Sequence, residues 1–382
     1  MLILAFVAVN AAQADKDIYQ GRLLYHCEDA DMTAEVRASD YNDTQGLDVV
    51  IPDKVEADGK TYTVTSIGDK AFPYPLQSIT LPESLTDIGN NSFYRCESLQ
   101  QLTIPDGVKN IGDNAFAESG LVSIALPQSV EHQGELLFFS CPNLERIEVK
   151  ANTALPYGFC AQCPKLQSIV LPEGLEEIGG FSFYACSGLT AIDWPNSVNR
   201  LKYAAFAASG INTLSLPSNI ERIGEYCFSE TALESIDLSH MVVTSLDRCT
   251  FFACESLKEV TLPASLTPLE EGNFYSCPSL ESVTSLSPVP PAAQSLSFDS
   301  TVKTSATLYV PDASLAAYQQ AEVWKDFFAV KGLTASGVNP AVTTNDNTIG
   351  IYDLSGRRLH ERSSGVNIVK MNNGMSRKYY RK

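Results

Sequence analysis

The stretch IGNNSFYRCESLQQLTIP, residues Ile88–Pro105, decides the reading of this chain, because it returns at Ile178–Pro195 as IGGFSFYACSGLTAIDWP. The aromatic position of the phrase falls at Phe72, Phe93, Phe116, Phe138, Cys160 (with Phe159 beside it), Phe183, Phe206, Phe228, Phe251 and Phe274. Successive gaps are 21, 23, 22, 22, 23, 23, 22, 23 and 23 residues. Five residues earlier stand Ile67, Ile88, Ile111, Leu155, Ile178, Leu201, Ile223, Leu246 and Leu269, with Gln133 as the polar exception. A nearly constant period of this size means a solenoid, in which each coil buries its apolar face against the next. Ten coils fit between about Val64 and Leu286.

Each coil reads as two extended pieces. The first is Leu-x-x-Ile-x-Leu-Pro, as at Leu166–Pro172. Its Ile169/Leu171 spacing is the period of a strand with alternate residues inward, and proline ends the strand because it has no N–H for a ladder. The second is Leu175–Gly179, where glycine permits either a positive φ or a close backbone approach. Ala-Phe-x-x-Cys then predicts one helical turn that inserts the ring into the core. The fold class is therefore a β-rich solenoid of parallel strands and short turns, capped at both ends.

Working outward, residues 1–14 read as a secretory signal, with an apolar run Leu2–Val9 and a small-x-small site at Ala12-Gln13-Ala14. That run is too short to span a bilayer. Residues 15–63 alternate like strands, with turns at Asp58-Gly59 and near Gly46, and read as the cap that covers the first coil. The solenoid with its C-terminal cap covers 64–335. Within it Ser314–Phe328 has helical spacing, with Leu315, Tyr318 and Trp324 on one face. A linker follows at 336–347, rich in Thr, Asn, Gly and Pro, and then a small β segment at 348–382 with turns at Ser355-Gly356 and Asn373-Gly374.

The chain has 382 residues, 44% hydrophobic and 19% charged, enough apolar material for a core that grows in one dimension. Its formal charge of −18 argues against a nucleic-acid partner, which needs clustered Lys and Arg. Six of the ten cysteines share one repeat phase: Cys96, Cys141, Cys163, Cys186, Cys254 and Cys277, with Ser119, Ser209 and Thr231 in the same slot elsewhere. Such a slot wants a small buried side chain with a weak donor. Stacked coils about 4.7–4.9 Å apart are within disulfide reach, so Cys163/Cys186 and Cys254/Cys277 are candidate pairs. Ladder side chains that point in parallel favour buried thiols instead. Cys160-Ala-Gln-Cys163 matches a redox spacing, but both cysteines fall on repeat phases, and the structural reading is preferred.

The coil phrase resembles the BspA-type leucine-rich repeat family of bacterial surface proteins, through Ile-Gly-x-x-x-Phe-x-x-Cys and Leu-x-x-Ile-x-Leu-Pro. The coils at Gln133 and Cys160 depart from the pattern, and Val149-Lys150 and Leu238-Ser239 lack the proline. The resemblance implies a secreted or cell-surface location and a binding role, often adhesion to a host or matrix protein, and it brings no catalytic residues. The tail, at Ile351–Arg357 and Gly365–Val369, resembles C-terminal sorting domains of the type IX secretion pathway, which implies export across an outer membrane.

No chemistry-bearing constellation emerges. His26, His132, His240 and His360 are scattered with no metal-ligand spacing, and no phosphate-binding glycine loop occurs. Adjacent carboxylates such as Glu176-Glu177 point to opposite faces of a strand. The expectation is a non-enzymatic protein without cofactor or metal, and without a membrane-spanning segment. The candidate site is the outward strand residue of each coil, a ladder over roughly 45 Å at about 4.8 Å per coil. Its members include Thr103, Glu148, Asp193, Ser215, Asp237 and Thr261. Such a ladder suits a partner protein, with a glycan-capture module or a structural spacer as alternatives. The face is poor in aromatic rings, which weakens sugar stacking.

Overall fold

The computed structural model describes residues 15–39, 47–72, 76–336, 348–352, 358–359, 365–371 and 376–381. The signal-like residues 1–14, Gly46, most of the linker and both turns of the tail lie outside the described residues. The chain divides into two compact units, Met1–Lys331 and Gly332–Lys382.

The first unit is a parallel β-solenoid of about eleven coils. It starts from six strands: β1 (Lys16–Gln20), β2 (Leu23–Glu28), β3 (Thr33–Ser39), β4 (Leu47–Val50), β5 (Lys54–Ala57) and β6 (Lys60–Ile67). β1, β2 and β3 pair antiparallel in sequence order, while β5 and β6 form a hairpin at Asp58-Gly59. Both turn residues have positive φ, 51° and 77°, the conformation that Asp-Gly favours. The segment also templates the coils. β4 pairs parallel with Leu76–Thr80, and the end of β6 aligns Ile67 with Ile88.

Two rows of strands then run along the stack. In one, Ile88 pairs with Ile111 and Ile111 with Gln133. That row restarts at Leu155, which aligns with Ile178, Leu201 and Ile223 in turn. Where glycine follows this position it keeps an ordinary φ. It is there for close approach: an added Cβ at Gly89, Gly112, Gly134, Gly179 or Gly224 would lie 2.3–2.8 Å from backbone of the preceding coil.

The other row is interrupted. Parallel strands form at Ser123–Leu126, Arg146–Val149 and Ser168–Val170, and again at Ser235–Asp237, Glu259–Leu262, Ser282–Ser285 and Thr307–Val310. Around Ile192 and Leu214 the expected strands are absent, and only single rungs such as Asn212 N–H to Thr190 O at 3.1 Å remain. Trp194 occupies the place that Leu171 fills one coil earlier, and its ring packs edge-on against Phe206 at 5.4 Å. The strand is likewise missing at Leu102–Ile104, where only the Gln101–Ser123 bridge remains.

The expected helical turn around each core phenylalanine is not helical. Its N–H groups point along the stack: Phe93 N–H donates to Ala115 O at 2.8 Å, Phe183 to Ala205 O at 2.8 Å and Phe206 to Cys227 O at 2.9 Å. Two left-handed residues per coil make this possible, for example Asn91 (φ 54°) and Arg95 (φ 60°), or Phe181 (55°) and Ala185 (56°). The backbone is thus satisfied between coils rather than within a helix.

The core phenylalanines stack face to face. Phe72, Phe93, Phe116 and Phe138 run with centroids 5.2–5.5 Å apart and planes within 14°. Phe159 takes the aromatic place of the fifth coil but meets Phe138 edge-on, at 89°. The stack resumes from Phe183 to Phe274 and continues to Phe298, one coil beyond the ten in the sequence. Phe298 follows Phe274 by 24 residues and lacks the Ile-Gly phrase before it.

A short helix α1 (Ser300–Ser305) follows, capped by Asp299. Ser314–Phe328 forms only short helical pieces, at Asp312–Ser314, Leu315–Tyr318 and Trp324–Asp326. They nonetheless close the stack. Phe327 and Trp324 lie 5.0 and 5.6 Å from Phe298, and the Trp324 indole donates to Pro291 O at 2.7 Å. The second unit contains an antiparallel sheet ordered Arg358–Leu359, Thr348–Tyr352, Gly365–Met371, Ser376–Arg381.

Candidate functional site

The outward strand residues form three separate groups rather than one ladder. Glu148 pairs with Ala125 on one side and Val170 on the other. Asp237 pairs with Thr261, which pairs with Thr284, which pairs with Tyr309. Thr103, Asp193 and Ser215 are exposed but lie in the coils where the strand is missing, so no ladder fixes their pitch. Glu148 and Thr261 are half-buried by their neighbours, and Asp237 is exposed. The Asp237 carboxylate already accepts from Ser239 N–H at 2.9 Å. Beside it, Lys258 pairs with Glu234 at 3.1 Å, an exposed and weak ion pair.

A different surface escaped the sequence reading. The turns around the core phenylalanines carry a second aromatic series on the outside: Tyr157, Phe181, Tyr203, Tyr226, Phe252 and Tyr275. Neighbouring centroids are 5.4, 5.2, 5.8, 6.3 and 6.3 Å apart, so the rings form one ribbon across six coils. Tyr184 joins it at 5.4 Å from Phe181. Tyr157, Tyr203 and Tyr275 keep 45%, 47% and 37% of their surface in water, which makes this edge the apolar exterior of the coils. The ring positions shift between two, three and six residues after the aliphatic position, so no single repeat phase betrays them. Earlier coils continue the edge with a groove lined by Lys70, Asn91, Tyr94, Asn114, Glu118, Leu136 and Phe139.

The six slot cysteines are buried thiols. Each sulfur lies against a backbone carbonyl of the preceding coil: Cys141 Sγ to Phe116 O at 3.2 Å, Cys163 to Phe138 O at 3.1 Å, Cys186 to Cys160 O at 3.1 Å, Cys254 to Phe228 O at 3.2 Å. The hydroxyls of the same slot bond differently: Thr231 donates to Phe228 O of its own coil at 2.8 Å, and Ser119 Oγ lies 3.5 Å from Cys141 Sγ of the next coil. The candidate pairs Cys163/Cys186 and Cys254/Cys277 are not bonded, because every thiol in the row points backward along the stack. Burial pushes the Cys96 thiol up to about 12 and the Cys254 thiol to about 11, which suppresses the reactive thiolate.

A family model described as a BspA type leucine rich repeat region matches residues 61–158 and 153–281, in six copies. That is more than half of the chain. It belongs to the BspA-type leucine-rich repeat family. The BspA-type match therefore runs from within β6 to Glu281. Among solved structures, a leucine-rich repeat protein from Bacteroides ovatus shares the fold at a TM-score of 0.60, with 24% identity over 84% of this chain and 91% of that one. A leucine rich cell surface protein from Faecalibacterium prausnitzii matches at 20% identity and a TM-score of 0.41, covering 85% and 96% of the two chains. The pneumococcal vaccine antigen PcpA matches at 16% identity and a TM-score of 0.48, covering 80% and 96%. No curated protein matches the chain.

Among the described residues, no group of three or more His, Cys, Asp or Glu side chains is arranged to hold a metal ion, and no helix is long and apolar enough to cross a membrane. The His26 ring bonds Asp17 at 2.7 Å, and His240 Nε2 lies 3.1 Å from Leu216 O. His26 lies in the N-terminal strands and His240 between the Phe228 and Phe251 coils, so the two are not brought together.

Proposed function

We propose that this BspA-type protein is a non-enzymatic recognition protein of the cell surface or the secreted fraction, and that it captures a partner protein through its outward strand face. The observation that carries the reading is a stack whose inner side is given over to a single core, with outward side chains such as Glu148, Asp237 and Thr261 held on its strands. Function on such a scaffold resides in the exterior, since solenoids offer extended surfaces. Export through a signal at residues 1–14 and a sorting-type tail belongs to the same proposal. It is supported by the apolar run Leu2–Val9 and by the tail residues Gly365–Val369.

The test compares the native protein with a variant carrying alanine at Thr103, Glu148, Asp193, Ser215, Asp237 and Thr261. Binding to a panel of purified extracellular-matrix proteins is measured. Saturable binding that the variant loses, at unchanged circular dichroism, supports the proposal. Absence of saturable binding by the folded native protein, or equal binding by the variant, overturns it.

A further inference from the structure

We infer that the solenoid carries a built-in joint between the coil of Ile223 and the coil of Leu246, where it opens into two blocks while the coils on either side stay folded. The joint is independent of the recognition reading. Three observations converge on that interface.

The first is the backbone. Among the described residues, the two rows of strands lapse together only here. One row ends at Arg222–Ile223 and makes no pairing with Leu246; the other has no strand at Leu214–Leu216 and begins afresh at Ser235–Asp237. The neighbouring interfaces keep their rungs. On one side Glu221 N–H donates to Asn199 O at 2.8 Å and Gly224 to Leu201 O at 2.9 Å. On the other, Thr267 donates to Thr244 O at 2.9 Å and Lys258 to Glu234 O at 2.8 Å. Across the joint the backbone bonds are those of the turns: Tyr226 N–H to Arg248 O at 3.1 Å, Phe228 to Thr250 O at 2.9 Å and Glu230 to Phe252 O at 2.8 Å. Two side-chain contacts join them, His240 Nε2 to Leu216 O at 3.1 Å and the Arg222–Asp247 ion pair at 2.9 Å. The first row lapses also between Gln133 and Leu155, but there the second row is continuous, since Ser123–Leu126 pairs with Arg146–Val149.

The second is turn length. The chain takes four steps from Leu81 to Leu85, from Leu126 to Val130, from Leu216 to Ile220 and from Leu262 to Leu266, but five from Leu238 to Val243. Val242 is left 67% exposed between buried Met241 and Val243. One extra residue on one side of a strand pair disrupts the ladder locally.

The third is the core, which runs through the joint unbroken. Phe228 and Phe251 stay parallel within 9°, with centroids at 5.7 Å against 5.1 and 5.4 Å in the two preceding pairs. Apolar contact is non-directional and survives a tilt that a hydrogen-bonded ladder does not, so the ring stack serves as the pivot. Glu148 then rides on the first block, and Asp237 and Thr261 on the second.

The test is hydrogen exchange of the full chain, read by mass spectrometry on peptides over 204–208 and 226–230. Both segments make the same bonds to the next coil: Ala204, Phe206 and Ala208 to Glu225, Cys227 and Ser229, and Tyr226, Phe228 and Glu230 across the joint. Exchange should be about tenfold or more faster in 226–230. Site-mapped thiol labelling at low urea gives a second readout. Cys254 Sγ lies on Phe228 O across the joint, whereas Cys163 lies on Phe138 O and Cys186 on Cys160 O at other interfaces. Cys254 should react before the other two. Deletion of Val242 shortens the turn to four steps and should slow exchange in 226–230 to the level of 204–208. The inference is overturned by equal exchange in the two segments, by reaction of Cys163 or Cys186 before Cys254, or by unchanged exchange in the folded deletion variant. If that variant does not fold, the two comparisons on the native chain decide.

Discussion

Replacing Phe206 by alanine tests whether the ring stack is one continuous interior. Phe206 is fully buried, with Phe183 stacked at 5.1 Å and 10° on one side and Phe228 at 5.4 Å and 7° on the other. Trp194 adds an edge contact at 5.4 Å. Truncation of a buried phenylalanine costs about 3–5 kcal/mol, and each lost ring pair is worth about 0.5–1.5 kcal/mol beyond area burial. With three such neighbours, Phe206→Ala should fall at the top of the range, about 5 kcal/mol. Phe159→Ala should cost about 1 kcal/mol less, because its ring pairs with Phe138 where Phe206 pairs with three rings. The damage should also be local, since coil stability is a sum of nearest-neighbour terms.

The chain has only two tryptophans, Trp194 beside the lesion and Trp324 in the terminal cap. Fluorine-labelled tryptophan gives one resonance for each during urea titration. In the variant, the Trp194 signal should unfold at lower urea than the Trp324 signal. A loss below about 1 kcal/mol refutes the continuous stack. A full-sized loss with both signals moving together refutes nearest-neighbour behaviour.

Three further outcomes are expected. The thiols should resist an aromatic disulfide reagent in the native state and react only on unfolding; several fast-reacting thiols in the folded protein at about pH 8 would contradict the buried row. The same thiols carry a pH effect. Burial raises Cys254 from 9.0 to about 11 and Cys96 to about 12, so the native state holds protons that the unfolded state gives up. Their contribution to stability is complete below about 9 and declines as pH rises toward 11–12, visible as a falling urea midpoint. For Asp299, burial alone would raise the carboxyl. Hydrogen bonds from Thr301, from Val302 N–H at 3.0 Å and from Ser276 N–H at 3.1 Å outweigh it and hold the group below 3.8. Asp299→Ala should cost about 0.5–2 kcal/mol, and the effect should vanish as pH falls below the carboxylate range, where the native side chain is also protonated. Gly120→Ala should be among the most damaging small substitutions, because its Cβ would sit 2.0 Å from Glu97 O of the preceding coil. A thermal midpoint unchanged from that of the native protein would show that the coils can part there at no cost.

The core was legible because it obeys one period. Phe93, Cys96 and Ile88 recur at fixed offsets, and their burial follows from the stacking that the period imposes. The cysteine slot could be narrowed to a small side chain from its Cys/Ser/Thr alternation, although the acceptor of its thiols, a carbonyl one coil back, belongs to no local pattern. The eleventh coil was missed because Phe298 is preceded by Gln294-Ser295-Leu296 rather than by Ile-Gly. The helical turn was misjudged because left-handed residues such as Arg95 and Ala185 leave no mark in sequence when they are not glycine. The aromatic strip was missed for a geometric reason: Tyr157, Phe181 and Phe252 hold different repeat offsets yet reach the same edge.

Sequence alone determined that the chain stacks, how many residues make a coil and which side chains face inward, since burying an apolar face at a fixed interval admits one arrangement. The tertiary structure decided where hydrogen-bonded strands persist, which direction the thiols point and which outside residues meet. Those depend on contacts between residues about 23 positions apart, such as Cys163 Sγ on Phe138 O or Tyr203 beside Phe181, which no local stretch of sequence brings together.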